Sequence, residues 1–397
     1  MSTAPQSPIS NRQGSVTSVR LPLREIPIFR GRSGAWYNHH HQVTSLGGRL
    51  FATWSSSFTN EDEPGQSMML ATSDDGGGSW SEARTLLAAP RGEHDLAILT
   101  SMGLHVHGEL LVAYCGSYEY TAHGLSYYRR EGSNHKGWSE KPFHQDSHCK
   151  ILVSRDGGGT WRQEGRIERF VPNLCPQPVA GGRLILPGNM WFPYTDDPVG
   201  ITGWKIAGIP RLPADYYDDP DGFGRGKSYR GDEFPCCEGS FFQTGDGVIH
   251  MMLRTERGWL AVCESRDRGQ SYSEPMRTDY SDSNCRFHFG RLPDGRWFGL
   301  TCPNLEHQDD PAAFLGRTPM VLALSEDGVL FNRHYVLGDE PYGAPVNPGF
   351  HKHGRYGYPS CHIFGDSLLA IYSVNKENIA CVRCPLASLA SRDTAAS

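Results

Sequence analysis

Three consecutive histidines, His39, His40 and His41, are the first residues of this chain that point to chemistry. An imidazole titrates near pH 6.5, so a histidine lining a cleft can give or take a proton at neutral pH. His105, His107 and His123, with Tyr118 and Tyr120 among them, are further groups able to reach the same place. Glu61-Asp62-Glu63 is an acidic run that either decorates a loop or offers a carboxyl for proton transfer. A histidine triplet without a spaced Asp, Glu or His partner is a weak metal signal, and Cys381-x-x-Cys384 lacks the second pair that a zinc set needs. No metal and no cofactor is expected. Asp309-Asp310 and Tyr216-Tyr217-Asp218-Asp219 show no calcium-loop spacing. From Pro187 to Arg230, Trp191, Phe192, Tyr194, Trp204, Tyr216 and Tyr217 stand among Gly and Pro. This stretch is read as an aromatic wall on which sugar rings stack, the alternative being a plug between elements.

Such groups need a scaffold, and the chain predicts one made of strands. Few segments keep apolar residues at helical spacing for two turns without a Gly or Pro, whereas short alternating β-rich runs recur throughout. Arg49–Trp54, Glu109–Tyr114, Val248–Leu253, Arg296–Leu300 and Ser367–Tyr372 each follow a pair such as Gly47-Gly48, Asp246-Gly247 or Asp294-Gly295. Gly, Asn and Asp tolerate φ > 0 and so close tight hairpins. The 46 Gly and 27 Pro among 397 residues fit that use, and 38% hydrophobic residues leave enough for a core. The fold class expected is all-β.

A net charge of −6 argues against a nucleic-acid face, and no run of about 20 apolar residues suggests a membrane span. The first residues lack a basic segment followed by an apolar one, so no secretory signal is read and a cytoplasmic location is expected. Eleven cysteines, mostly single, are read as reduced and buried thiols.

A repeat sharpens this picture. Ser73-Asp74-Asp75-Gly76-Gly77-Gly78-Ser79-Trp80 and Ser154-Arg155-Asp156-Gly157-Gly158-Gly159-Thr160-Trp161 fit S-x-D-x-G-x-[ST]-W. Ser265–Tyr272 fits with Tyr for Trp, and Ser325–Phe331 is a shortened copy. Each follows a β-rich run. The Asp can accept backbone N–H groups within the turn, the Gly supplies φ > 0, and the aromatic packs back on the sheet.

These repeats resemble the Asp boxes, or BNR repeats, of the sialidase (neuraminidase) superfamily, whose members are β-propellers. The resemblance implies a six-bladed β-propeller of four-stranded antiparallel blades, about 66 residues per blade, with seven blades as the alternative. Residues 21–390 would form this single catalytic domain, with an N-terminal extension at 1–20, expected to be flexible, and a tail at 391–397. The boxes themselves mark the fold and are not expected to be catalytic.

The resemblance extends from about Trp36 to Arg383. Sialidases of this superfamily hold the substrate carboxylate with three arginines, use a Tyr nucleophile paired with a Glu, and use an Asp as general acid/base. A carboxylate on the anomeric carbon repels an anionic nucleophile, so a neutral phenol made basic by Glu replaces the usual carboxylate. Glu238-Gly239-Ser240 through Leu253-Arg254-Thr255 is similar to the strand pair carrying the Glu and the second arginine, which implies Glu238 and Arg254. Gly316-Arg317-Thr318-Pro319, running into the fourth box, implies Arg317 as the third arginine, and Gly357-Tyr358-Pro359-Ser360 implies Tyr358 as the nucleophile. Asp62 takes the place of the acid/base, with Glu61 and Glu63 beside it.

The first arginine is missing. Where Phe/Tyr-Arg-Ile-Pro should open the first strand, the chain reads Tyr37-Asn38-His39-His40-His41-Gln42. Two enzymatic readings follow: sialidase-like hydrolysis of the linkage of an acidic sugar, in an oligosaccharide or glycoconjugate, or β-elimination of a uronate in which a histidine and Tyr358 move protons while the arginines hold the carboxylate. A propeller that binds glycan or protein without turnover is the third.

Overall fold

Turns that only small or polar residues can make set the architecture. The computed structural model describes residues 6–89, 97–131, 144–209, 236–255, 257–303 and 316–389. Gly47, Gly108, Gly247, Gly295 and Gly365, at the expected hairpin signals, all have positive φ. Six sheets result among the described residues. The first holds Tyr37–Leu46, Arg49–Ser57, Ser67–Ser73 and Arg84–Leu87, and the second Ala97–His107, Leu110–Tyr120, His144–Ser154 and Arg162–Glu168. The third is short, with Gln177–Pro178, Leu184–Ile185 and Tyr194–Thr195. The fourth runs from Cys236–Gln243 through Ile249–Thr255 and Trp259–Ser265 to Met276–Ser281. The fifth comprises His288–Arg291, Trp297–Thr301, Met320–Ser325 and Arg333–Gly338, and the sixth Gly357–Phe364, Ser367–Val374 and Asn378–Pro385. One α-helix is described, Ala122–Glu131, after the second strand of the second sheet.

Within each sheet these strands pair antiparallel in chain order, as hairpin connections require. The N-terminal residues then add to three sheets. Gln6–Ser10 lies parallel to Met276–Ser281, Thr17–Arg20 parallel to Arg333–Gly338, and Glu25–Phe29 antiparallel to Asn378–Pro385. Residues 6–20, set apart from the sequence as an extension, therefore cover two outer sheet edges that would otherwise expose unpaired N–H and C=O groups. Glu25–Phe29 completes the sixth sheet and ties the two ends of the chain together.

Inner strands such as Arg49–Ser57 are buried on both faces because the sheets pack face to face with their neighbours. Leu50, Ala52 and Trp54 pack on Leu369, Ile371 and Ile379 of the sixth sheet, while Phe51 turns to Leu111 and Ala113 of the second. Period-two alternation thus serves two interfaces. The first strands of the sheets also pack on one another, second to first, first to sixth, sixth to fifth and fifth to fourth. Their starting residues meet there.

The four boxes make one hydrogen-bond pattern. Ser73, Ser154, Ser265 and Ser325 each donate Oγ–H to the box Asp at 2.8 Å and accept the N–H of the box Gly at 2.8–2.9 Å. Trp80 and Trp161 pack against core clusters, Tyr272 lies edge-on to Phe192, and Phe331 is fully buried. Gly77 has φ +89°, and a Cβ there would stand 2.7 Å from Leu369 Cδ2. Gly77→Ala is expected to cost about 1–3 kcal/mol, from the left-handed backbone and the displaced leucine, read as a lower Tm without change in any activity.

Candidate active site

Five of the residues singled out from the sequence, together with Lys376, start from strained backbone. Among the described residues thirteen non-glycine positions have positive φ, and six of them are His40, Asp62, Glu238, Arg317, Tyr358 and Lys376. Such conformations cost about 1–3 kcal/mol each and persist where the surroundings over-determine them. Three sit at register shifts that swing a side chain out of the pleat: His40 between His39 and Gln42, Glu238 between Cys237 and Gly239, and Tyr358 between Gly357 and Ser360.

Tyr358 is the centre. Its N–H donates to Cys285 Sγ at 3.2 Å and its C=O accepts His41 Nε2 at 2.9 Å, so both main-chain groups are fixed. Its hydroxyl accepts Arg254 Nη1–H at 2.9 Å and bonds the Glu238 carboxylate, which also holds Arg254. Burial and the facing Glu238 push the phenol well above its usual range, so it rests neutral. Burial alone would raise Glu238, but Arg254, the Tyr358 hydroxyl and Arg286 outweigh it and keep the carboxylate ionised.

Four cations surround that ring. The guanidinium carbons of Arg286, Arg317 and Arg254 lie 4.8, 5.3 and 5.9 Å from its centroid, and Lys376 Nζ lies 5.9 Å away. Among the described residues two ionised carboxylates, Glu238 and Glu61, pair with them. Arg317 is 2% exposed and among the described residues gives one bond, to Asn284 O at 3.1 Å, while its Nε and Nη1 have no partner there. A guanidinium stripped of water and left with free N–H groups favours an anion beside it.

On the other side Glu61 accepts Lys376 Nζ at 2.6 Å and the Tyr37 hydroxyl at 3.1 Å. Burial works against its charge, but the bound Lys376 more than compensates. Its neighbour Asp62 is the opposite case. Burial and Glu61 raise its carboxyl to about 7, against the pull of a 2.6 Å bond from Tyr118 Oη and of Lys376. One of two adjacent carboxyls is therefore held charged and the other held as an acid near neutrality. Glu63 turns away to cap the N–H groups of Thr59 and Asn60.

The histidines depart from expectation. All three are buried, and burial with the nearby cations depresses them, His40 to about 3 and His39 and His41 well below their ordinary value. They stay neutral at pH 7 and do not titrate there. His39 Nδ1 bonds Ser373 Oγ at 2.7 Å, and that hydroxyl faces Gly357 O at 3.4 Å, so Nδ1 carries the proton and the unpartnered Nε2 is a bare acceptor. The His39 ring is 4.2 Å from that of Tyr358. His41 acts behind Tyr358, on its carbonyl. Ligand atoms of His39, His40 and Glu61 lie within 4.8 Å of one another, a donor set that could suit a metal, but the bound Lys376 and the surrounding guanidiniums oppose a further cation.

Trp191 does not present an open stacking face. It is 8% exposed within the core cluster that includes Phe192, Ile185 and Phe241, because the short third sheet needs large side chains to fill its layer. Two residues earlier, Asn189 Oδ1 accepts the Glu238 N–H at 3.0 Å. Tyr216 and Tyr217 lie outside the described residues, as do Asp309, Asp310 and the tail at 391–397. His105 is turned to Pro198 O.

Arg286 and Lys376 escaped the sequence reading. Arg286 is 1% exposed and bonds Asn173 O and His41 O beneath Tyr358. It precedes the first strand of the fifth sheet, as Tyr358 opens that of the sixth. Charged residues at the starts of first strands are the signal that would have found it.

A BNR repeat-like domain model matches residues 48–371. The chain belongs to that family. Among solved structures this BNR chain is similar to a protein of unknown function from Dyadobacter fermentans, with a TM-score of 0.60 and 14% identity over 92% of this chain and 100% of that one. It is also similar to the Hadza microbial sialidase Hz136, with a TM-score of 0.64 and 13% identity over 92% of this chain and 69% of that one. For Trypanosoma rangeli sialidase in complex with sialic acid the TM-score is 0.59 and the identity 14%, over 93% of this chain and 60% of that one. The fold is accordingly that of the sialidase-like β-propellers. No curated protein matches by sequence.

Proposed function

We propose that this BNR protein cleaves the glycosidic linkage of a carboxylate-bearing sugar by sialidase-like hydrolysis, on a propeller whose six sheets are its blades. The observation that carries the reading is the Tyr358 hydroxyl, set between Arg254 and Glu238 within a ring of four cations that has anion-seeking N–H groups to spare. In this reading the substrate carboxylate lies against Arg254 and Arg317. Engaging Arg254 loosens its hold on Glu238, which becomes basic enough to take the phenol proton as Tyr358 Oη attacks the anomeric carbon. Asp62, still protonated near neutrality, gives its proton to the leaving oxygen and then takes one from the water that releases the sugar. The sialic acid bound to the trypanosomal neighbour supports an acidic sugar as ligand.

One observation favours β-elimination as a second reading: the bare, buried Nε2 of His39 beside Tyr358 is a base without a proton to lose. The two are separated by offering 4-methylumbelliferyl glycosides of N-acetylneuraminic acid, glucuronic acid and galactose together with uronate oligosaccharides. Release of umbelliferone from an acidic glycoside and not from the galactoside is the expected result. Ultraviolet absorbance from a new conjugated double bond, with no hydrolysis, would replace the hydrolase by the lyase. Saturable binding with no turnover of any substrate would leave a glycan-binding propeller.

A further inference from the structure

The first strand lacks an arginine, yet the site is not short of positive charge at that place. The turn that joins Ser367–Val374 to Asn378–Pro385 is stitched to the strand where the arginine is absent: Asn38 N–H donates to Lys376 O and Asn38 Nδ2 to Glu377 O, both at 2.7 Å. We infer that Lys376, reaching from this last hairpin, supplies the third cationic contact to the substrate carboxylate. This rests on the acidic-sugar reading above.

Several independent features lead there. Lys376 is 3% exposed, and its ammonium stands as close to the Tyr358 ring as the guanidinium of Arg254 does, 5.9 Å in both cases. An ammonium has three donors, and the hydrogen bonds among the described residues use one, to Glu61. The backbone adds a second argument. Asn375 and Lys376 have φ of +55° and +54°, and Glu377 N–H closes the turn on Val374 O at 2.9 Å. This is the hairpin turn whose second central position favours glycine. A lysine there is conformationally costly and of no use to the hairpin itself. The conformation is clamped from outside, since the Glu377 carboxylate accepts Val346 N–H and Asn347 N–H and meets Lys352 Nζ at 3.1 Å. A strained, clamped lysine with spare donors, aimed at the phenol, fits a ligand contact better than a mere counter-ion for Glu61.

The test uses calorimetric titration of the full chain with 2-deoxy-2,3-didehydro-N-acetylneuraminic acid and with methyl glucuronoside, each beside its methyl ester. Wild-type protein should bind one acid in preference to its ester. Lys376→Met should then weaken that acid by about 10- to 100-fold and leave the ester unchanged, while Lys376→Arg stays within about threefold of wild type. Where the methionine variant melts below the assay temperature, Lys376→Gln, which keeps a donor for Glu61 without the charge, carries the same expectation. Unchanged acid affinity in the uncharged variant, or equal loss for acid and ester, would overturn the assignment of Lys376 alone. Wild-type protein that prefers neither acid over its ester would overturn the acidic-sugar reading and this inference with it.

Discussion

Tyr358→Phe is expected to lower kcat on an acidic glycoside by about 10³-fold or more, with little change in Tm. In the hydrolytic reading the phenol is the group that forms and breaks the bond to carbon, and it stays neutral at rest. Its two hydroxyl partners, Arg254 and Glu238, remain bonded to one another when the oxygen is removed, so the variant does not strand a buried charge. The backbone at 358 stays anchored by Cys285 and His41, neither of which touches the ring oxygen. Loss of turnover with retained binding is thus the signature. Because the β-elimination reading also needs this phenol, a second measurement decides. A 2,3-difluorosialic acid should leave a covalent adduct on wild-type Tyr358, seen by mass spectrometry of the peptide and absent in the phenylalanine variant. Turnover that survives Tyr358→Phe would remove the tyrosine from either mechanism.

The reason Tyr358 could be found from sequence, and Arg286 and Lys376 could not, is a difference in range. Box hydrogen bonds close within three or four residues, so spacing alone reveals them. Glu238 and Arg254 are carried by one hairpin, and Tyr358 and Arg317 by short segments that run into strands, so local motifs mark them too. Arg286 meets the site through carbonyls at 173 and 41, and Lys376 through Glu61 and Asn38, partners that only the ring of first strands brings together. The histidines were legible as residues and not as acids: their neutral state comes from burial and from cations far away in the chain. Trp191 shows the same limit from the other side, since an aromatic stretch rich in Gly and Pro reads alike whether it lines a mouth or fills a thin layer.

The field around Tyr358 also explains why one histidine run can stand where an arginine was expected. With Arg286 below the ring and Arg254, Arg317 and Lys376 around it, an arginine on the first strand would add a fifth cation to a place with two ionised carboxylates. A further buried cation with no carboxylate to pair it is disfavoured. Neutral imidazoles fill the same layer, bond Ser373 and the Tyr358 carbonyl, and leave the anion-binding charge to residues better placed to share it.

Asp62 gives the other large effect, and its sign can be worked out. As a general acid it must carry its proton, and burial with the charged Glu61 beside it raises that carboxyl to about 7. Activity should therefore fall as pH rises through about 7, several units above where an ordinary aspartate loses its proton. Asp62→Asn should cost about 10²- to 10⁴-fold with a poor leaving group such as a sugar alcohol, much less with an aryl leaving group that needs no proton, and should erase the alkaline limb. Two neighbours should move that limb in opposite directions. Tyr118→Phe removes a hydrogen bond that favours the carboxylate, so the limb shifts to higher pH; Glu61→Gln removes a like charge, so it shifts lower. Stability follows the same linkage. The folded state keeps a proton that the unfolded chain gives up at lower pH, so wild-type protein loses stability as pH climbs from about 4 to 7, whereas the asparagine variant does not. Asp62→Asn should accordingly melt above wild type at pH 8, and a limb that stays in place in both neighbour variants would take the proton away from Asp62.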